Sequence, residues 1–249
     1  MTLIIAAKGK EQGENHIIVG ADSRGTIHQG DLSMANDNRK KIIELNKHVC
    51  VLIGGDVEKG SYLVNNFLPS VKKTDDVYKI ANSFSNFCNK KFKPLINLLG
   101  VDSKNYPYVV FIIAGLKKDN SRYIDPRIYV LRSDDAFFLG EQDPFIVDGS
   151  NIILASYLLS KDFETESTMD DKIKLIVRCI HETSKYDGCV GGDIHVAVIS
   201  EAGFTPQLES DINTIKMDIE NEKMEESMEE ESEEDNILDD PEKEKLDDV

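Results

Sequence analysis

The N-terminal segment contains two apolar runs separated by polar residues, a pattern typical of a β-hairpin. The first predicted strand covers residues 2–9 and begins at Thr2, and the second covers residues 16–21 and leads into Asp22. The polar, glycine-containing stretch at 9–15 has the composition of a turn. The sequence therefore predicts a hairpin that starts at a hydroxyl residue and ends at a carboxylate.

Two shorter apolar runs follow, at 41–45 and 48–53, and the two polar residues between them predict a second hairpin. The second run leads into Gly55, where glycine allows a close approach of the backbone. Asp56 then supplies an N-cap for a helix predicted over 57–67.

A longer helix is predicted over residues 74–94. Its apolar residues recur at the spacing of one helix face, so we expect them to form core rather than a cofactor site. They are Val77, Ile80, Phe84, Phe87, Cys88 and Phe92.

Strands again precede helices in the second half of the body. Apolar runs predict strands at 108–114, 127–131 and 136–139. Two predicted helices follow at 150–159 and 168–186, and a last strand lies at 193–199. Strands and helices are grouped rather than alternating, which favours antiparallel sheets with helices outside them and the α+β fold class.

Charge is distributed unevenly along the chain. The net charge is −17, and residues 216–249, with 17 acidic residues and 4 lysines, carry −13 of it. A run of like charges with little apolar area does not bury enough surface to fold alone. We therefore predict a folded domain over residues 1–210 and an acidic, disordered tail over 211–249, with a partner-binding arm as the alternative interpretation.

Cysteine and histidine usage argues against several kinds of site. The four cysteines form no CxxC pair and the five histidines are scattered, so we expect no metal site, no cofactor and no structural disulfide. Nothing is basic enough for nucleic acid, and no signal peptide or run of 18 apolar residues occurs. These features predict a soluble cytoplasmic protein that binds neither nucleic acid nor membrane.

Thr2 is the first candidate for chemistry. If Met1 is removed, which a small residue at position 2 permits, Thr2 carries a free α-amine beside its own hydroxyl. Such a residue holds both a nucleophile and a nearby base. Position 2 alone does not decide between this role and the plain start of a strand.

A set of short motifs, taken in chain order over residues 2–206, resembles the proteasome β subunit family. The motifs are Thr2 opening a strand, Ala21-Asp22-Ser23-Arg24-Gly25-Thr26, Arg39-Lys40-Lys41-Ile42, Gly54-Gly55, Asp148-Gly149-Ser150, and Tyr186-Asp187 followed by Gly191-Gly192-Asp193-Ile194-His195. The resemblance implies the N-terminal nucleophile hydrolase fold, a four-layer αββα sandwich of two antiparallel sheets between helix layers. It also implies a threonine-type peptidase working inside a ring.

The resemblance assigns catalytic roles by position. Thr2 matches the nucleophile, Asp22 the buried acid, and Lys41 the lysine beside the threonine hydroxyl, with Lys40 as the neighbouring candidate. A lysine ammonium near the hydroxyl favours its deprotonation, and an aspartate beside that lysine orients it. Taken singly, each residue is better explained structurally, Asp22 as the cap of a turn and Lys41 as a solvated strand residue; Thr2 at the start of the chain favours the catalytic interpretation.

Two further residues, Ser150 and Asp187, match the serine and aspartate that support the amine end of the site. Here the sequence departs from the family pattern, because Val190 stands where a serine is usual and Asn151 where a glycine is usual. A long loop is also expected over 26–38.

Substrate-binding positions follow from the same resemblance. Gly55 matches the oxyanion glycine, and Gly25 with Thr26 matches the segment that pairs with a peptide as an added strand. Ile53 and Val57 match pocket-lining positions, which predicts a preference for an apolar substrate side chain. Core packing is the alternative for both.

Three functions fit these residues: a threonine peptidase, an enzyme that passes the acyl group to an amine and so ligates peptides, and an inactive structural ring subunit. The expected partners are a peptide or unfolded protein substrate and a homo-oligomeric ring, with α-type ring subunits or a regulatory ATPase as further candidates. Intact Thr2, Asp22 and Lys41 argue against the inactive subunit.

Overall fold

Twelve strands and five helices make up the part of the chain described by the computed structural model, residues 2–29, 32–99, 107–120 and 122–238. The first half forms β1 (Leu3–Glu11), β2 (Glu14–Asp22), β3 (Gly25–Gln29), β4 (Leu32–Asn36), β5 (Ile42–Asn46), β6 (Val49–Gly55), α1 (Val57–Phe67) and α2 (Val77–Leu99). The second half forms β7 (Val109–Asp119), β8 (Arg122–Arg132), β9 (Gly140–Gln142), β10 (Phe145–Gly149), α3 (Ile152–Asp162), α4 (Met169–Tyr186), β11 (Ile194–Ser200), β12 (Gly203–Pro206) and α5 (Glu209–Leu238).

The strands form two five-stranded antiparallel sheets that stack face to face. The first sheet has the order β10-β1-β2-β11-β12 and the second the order β5-β6-β7-β8-β9, while β3 and β4 pair as a separate hairpin. Helices α3 and α4 cover the outer face of the first sheet, and α1 and α2 cover that of the second. This confirms the predicted α+β class and the four-layer αββα sandwich.

Both faces of the sheets are apolar because both are covered. In β1, Ile4 points into the core between the sheets, while Leu3 and Ile5 point towards the helices, and all three are fully buried. Side chains alternate between the faces of a strand, so a strand covered on both sides is a continuous apolar run. Burial of each such side chain contributes about 1.5–3 kcal/mol.

The N-terminal hairpin is tighter than its composition suggests. Only Gln12 and Gly13 form the turn, both with positive φ (51° and 85°), so both strands reach into the segment 9–15 that was expected to be loop. A two-residue turn of this kind matches the twist of the flanking strands. The polar residues near the turn occupy exposed strand positions, which is why composition alone suggested a longer turn.

The segment 26–38, expected to be a long loop, is mostly a hairpin. Strands β3 and β4 pair in antiparallel register, with Gly25 opposite Asn36 and Gln29 opposite Leu32. The hairpin joins neither large sheet, so its strands lack the continuous apolar pattern that marks the others.

The prediction of a strand over residues 136–139 is wrong. Ala136 and Phe137 have left-handed backbone conformations (φ 46° and 55°), and the short strands β9 and β10 follow instead. The apolar character of the segment comes from Phe137, whose fully buried ring packs edge-on against Phe92 of α2.

Two helices begin where predicted because side chains cap them. The Asp56 side chain accepts from the Lys59 amide (3.0 Å), and Thr168 caps α4 in the same way. Helix α2 passes through Pro94, its predicted end, and reaches Leu99. No helix within the described ranges is long and apolar enough to cross a membrane.

Helix α5 extends the folded body beyond residue 210, where the sequence predicts that the folded domain ends. Ile212 and Ile219 are 2% and 1% exposed and pack in the core formed with α4 and β11. Acidic residues of α5 also pair with basic residues of α4. Residues 212–223 therefore belong to the body, while residues 239–249 of the predicted tail lie outside the described residues.

Candidate active site

Several strands end at one rim of the sandwich. Strand β1 starts there after Thr2, β2 ends there at Asp22, and β10 ends at Gly149. The end of β6 lies opposite in the second sheet, because a side chain added at Gly54 would meet Ile4 at 3.2 Å. The rim therefore collects residues that are far apart in sequence.

Asp22 is a buried carboxylate with four hydrogen-bond donors. Its Oδ1 accepts from the Leu3 amide (2.8 Å) and Lys41 Nζ (2.7 Å), and its Oδ2 accepts from the amides of Arg24 (3.2 Å) and Gly191 (3.1 Å). A buried charge is tolerated when it is paired and hydrogen-bonded. This carboxylate ties β1, β2 and the segment before β11 to Lys41.

Lys41 has no exposed side-chain surface. Its ammonium donates to Asp22 and to the carbonyl oxygen of Arg24 (2.6 Å). Burial lowers the pKa of Lys41, while the charge and hydrogen bond of Asp22 oppose that shift. Lys40 is exposed, so Lys41 and not its neighbour lies beside Asp22.

Thr2 lies next to this ion pair, since the residue after it binds Asp22. Thr2 is 1% exposed, and its Oγ1 has no hydrogen-bond partner among the described residues. Buried hydroxyls almost always have a partner, so an exception needs an explanation. The Thr2 carbonyl oxygen accepts from the Ser150 amide (2.6 Å), and a side chain at Gly149 would lie 1.7 Å from that oxygen.

Ser150 and Asp187 are hydrogen-bonded to each other. Ser150 Oγ donates to Asp187 Oδ2, and the Cys189 amide donates to Oδ1 (2.8 Å). Burial raises the pKa of Asp187, but these hydrogen bonds outweigh it and the net pKa is lowered. Val190, which stands where the family pattern has a serine, is fully buried in the apolar core.

Gly55 occupies a position that only glycine can fill. Its φ is +72°, and an added Cβ would lie 2.3 Å from the carbonyl oxygen of Tyr108. The next residue, Asp56, donates its amide to that oxygen (2.7 Å) and caps α1. Gly55 thus lies at the N-terminus of a helix, where the helix dipole favours negative charge.

The remaining predicted positions lie at the edge of this cluster. Gly25 opens β3 directly after the Asp22 segment, and Thr26 pairs with Ala35. Ile53 is fully buried in the core beneath α1, and Val57 is half-buried at the first turn of that helix. Their roles in binding a peptide stay predictions.

Sequence reasoning missed an ion pair behind Asp22. The Arg24 guanidinium makes two hydrogen bonds to Asp37, at 2.8 and 2.9 Å, which raises the pKa of Arg24. A side chain at Gly191 would meet this guanidinium at 2.6 Å, so the glycine allows the loop to lie against it. Asp37 follows a hairpin that the sequence did not predict. The sequence separation of Arg24 and Asp37 does not indicate that the two residues pair.

A second missed cluster lies on the other side of Thr2. Arg132 Nε and Nη2 both donate to Oδ2 of the buried Asp148, at 2.9 and 2.5 Å. The Tyr108 hydroxyl is 3.5 Å from Asp148 Oδ1, and burial together with that carboxylate raises the pKa of Tyr108. Asp148 belongs to the Asp148-Gly149-Ser150 motif, but its partner Arg132 lies at the end of β8, and nothing in the sequence indicates that the two residues pair.

A cavity of about 540 Å³ opens between β5 and β11, with Lys40, Ile42, His195 and Phe204 among its lining residues. None of the predicted site residues lines it. The described residues contain no cluster of side chains that could hold a metal ion.

Comparison with known proteins agrees with this geometry. The family description "Proteasome subunit" matches residues 4–199. Relatives include the proteasome subunit beta of Picrophilus torridus, 24% identical over 80% of this chain and 87% of that protein. The proteasome subunit beta 2 of Pyrococcus furiosus is 26% identical over 76% of this chain and 84% of that protein. The match covers most of the chain and confirms the resemblance seen in the motifs. The chain is therefore a β-like member of the proteasome subunit family.

Proposed function

We propose that the protein is a threonine-type peptidase that cleaves peptide bonds with Thr2 as its nucleophile, within a ring-shaped proteasome-like assembly. The observation that carries the proposal is the buried Lys41–Asp22 pair beside a Thr2 hydroxyl that has no hydrogen-bond partner among the described residues. Buried ion pairs add little to stability, and perturbed lysines cluster at functional sites. Family membership supports the same reaction class.

In the first half of the reaction, the free α-amine of Thr2 accepts the hydroxyl proton while Oγ1 attacks the substrate carbonyl carbon. The carbonyl oxygen becomes negative, and we assign the Gly55 amide as its hydrogen-bond donor. The carbon–nitrogen bond then breaks, and the leaving amine takes the proton from the Thr2 ammonium. An ester on Thr2 Oγ1 remains. The Lys41 ammonium favours the ionised hydroxyl throughout.

In the second half, water replaces the amine that left. The Thr2 amine takes a proton from water as its oxygen adds to the ester, and collapse of the tetrahedral species returns the proton to Oγ1. The products are a carboxylic acid and regenerated Thr2. An amine in place of water would instead form a new peptide bond, which is the ligase alternative.

Substrate recognition in this proposal rests on the rim and the hairpin beside it. Backbone groups of Gly25 and Thr26 pair with an extended peptide as an added strand. Ile53 and Val57 make the first side-chain pocket apolar. The substrates are peptides or unfolded proteins, since only an extended chain presents its backbone in this way.

The test of the mechanism is a variant series assayed with a short fluorogenic peptide. Thr2→Ser keeps a hydroxyl and should retain turnover, whereas Thr2→Val keeps the shape and should abolish it. Lys41→Met should lower turnover as far as Thr2→Val, because residues acting as a unit lose similar activity singly or together. Lys40→Met, one residue away and exposed, is the matched control and should be near normal.

N-terminal sequencing of active protein must find Thr2 first, and Met1 retained on active material would contradict the mechanism. Intact mass after incubation with a peptide and an amine acceptor separates hydrolysis from ligation. If the wild-type protein is folded, assembled and free of Met1 but forms no product and no adduct at Thr2, the peptidase and ligase functions are excluded. The function of an inactive structural subunit then remains.

A further inference from the structure

Two ion pairs join the two sheets at the rim, one on each side of Thr2. Lys41, directly before β5 of the second sheet, binds Asp22 of β2 in the first. Arg132, at the end of β8 in the second sheet, binds Asp148 of β10 in the first. The proposed mechanism uses the first pair and leaves the second without a role.

Sheet order fixes what lies between these pairs. In the first sheet β1 runs between β2 and β10, so Asp22 and Asp148 flank the strand that begins after Thr2. In the second sheet β6 and β7 run between β5 and β8, so Gly55 and Tyr108 lie between Lys41 and Arg132. Thr2 and Gly55, the proposed nucleophile and oxyanion donor, thus both lie between two cross-sheet pairs.

The second pair contacts both halves of the site. Asp148 is 1% exposed and immediately precedes Gly149, which lies against the Thr2 carbonyl oxygen. The Tyr108 hydroxyl lies 3.5 Å from the same carboxylate, while its backbone oxygen sets the position of Gly55. One carboxylate therefore connects the Thr2 side of the rim to the Gly55 side.

We propose that Arg132, Asp148 and Tyr108 are positioning residues for the reaction at Thr2, forming a clamp that fixes the spacing between Thr2 and the Gly55 amide. The proposal rests on the peptidase function given above. An oxyanion donor works only when it is held at hydrogen-bond distance from the developing charge, and small displacements of reacting groups lower rates steeply. The clamp acts on turnover rather than on peptide affinity, because none of its residues belongs to the predicted peptide-binding segment.

The central experiment compares the double variant Arg132→Met/Asp148→Asn with wild type. Both charges are removed together, so no unpaired charge remains buried. We expect kcat to fall about 10-fold to 100-fold with KM within about two-fold. The pH profile should keep its apparent pKa values at a lower plateau, since the clamp does not titrate in the reaction. The single variant Arg132→Lys retains the positive charge beside Asp148, so its kcat should fall less than that of the double variant.

A matched control comes from the opposite end of the same strand. Arg122 of β8 also makes two hydrogen bonds to a carboxylate, one to each oxygen of Glu201, far from the rim, at 2.8 and 2.7 Å. Arg122→Met/Glu201→Gln should leave kcat and KM at wild-type values. A rim double variant that folds and keeps wild-type kcat would overturn the clamp.

Hydrogen exchange separates this proposal from the peptidase function, because it needs no turnover. The rim double variant should exchange faster at residues 53–57 and 147–151, with protection elsewhere unchanged. If wild type proves inactive, the function fails, and the clamp is then judged by exchange alone. Unchanged protection in both segments would overturn it.

Discussion

Lys41 is a residue whose burial works against the stability of the fold. Its ammonium loses hydration, and because burial still lowers the pKa of Lys41, Asp22 and the Arg24 carbonyl offset that loss only in part. Replacing a buried ion pair by apolar side chains is often neutral or stabilising. Such a pair next to a hydroxyl without a hydrogen-bond partner among the described residues is better explained by the chemistry proposed at Thr2 than by a gain in stability.

The buried imidazole of His16 makes the stability of the fold depend on pH. It is 1% exposed, its Nε2 has no partner in the described residues, and burial, followed by the Lys172 charge, lowers its pKa below 6.5. The folded state therefore favours neutral imidazole, whereas the unfolded chain binds a proton as pH falls through about 6.5. Stability conferred by the neutral ring is present above that pH and is lost below it, down to the folded pKa.

The measurement is the free energy of unfolding by urea between pH 7.5 and 5. Wild type should lose up to about 1.4 kcal/mol per pH unit from this group within that window. His16→Phe keeps a ring of similar size against Gly9 and should flatten the slope. The exposed His195→Gln is the control, and an equal slope in wild type and His16→Phe would contradict the assignment.

Candidate site residues were predictable only as members of a set. Neither Thr2 nor Lys41 can be distinguished from an ordinary strand residue by its own position. Only the set of motifs in chain order distinguishes them. The pairs Arg24–Asp37 and Arg132–Asp148 were not predictable, because each depends on tertiary placement of a segment whose local pattern was misleading. Hydrogen-bond partners across two sheets leave no trace in sequence spacing.

At the scale of elements, the sequence predicted those strands and helices that carry strong local signals. Helix α1 and helix α4 have side-chain caps, and strands buried on both faces are continuous apolar runs. Short strands such as β9 and β12 have three or four residues and no such run. Helix α5 was misjudged because charge dominated its composition, although isoleucines at 212, 215 and 219 mark one helical face.

Helix α5 should stabilise the body through its buried isoleucines. Ile219 is buried and should cost about 2–5 kcal/mol of stability when changed to alanine, because a cavity replaces its side chain. Met217 lies on the same helix but is 66% exposed, so Met217→Ala should stay within about 0.5 kcal/mol of wild type. Chemical denaturation measures both.

Truncations complete the same test. Removing residues 226–249 should leave the denaturation midpoint unchanged, whereas removing residues 209–249 should lower it clearly, because the second deletion uncovers Ile212 and Ile219. The ion pairs between α4 and α5 are partly exposed and each adds little stability, so raised salt should lower the midpoint only slightly. Equal midpoints for the two truncations would show that α5 adds nothing to the body.

At the scale of the whole molecule, the proposed ring has to be built from surfaces outside the core. Phe84 and Phe92 of α2 face inward, since they are only 1% and 3% exposed, and therefore offer no surface for a subunit contact. Helix α3 instead exposes Ile153 (86%) and Tyr157 (62%), which lie one turn apart. Large exposed apolar side chains grouped on one face are typical of interaction surfaces.

We therefore expect the native mass by light scattering to be a high multiple of the 27.9 kDa chain at micromolar concentration. Assembly would enclose Thr2 and restrict cleavage to unfolded chains that can enter, which a peptidase free in solution could not do. Ile153→Asp should lower the native mass without loss of folding, because a charge would replace apolar contact area. Ser160→Asp, near the other end of the helix, serves as the control. A wild-type protein that stays monomeric yet cleaves peptide would contradict the ring while leaving the chemistry at Thr2 intact.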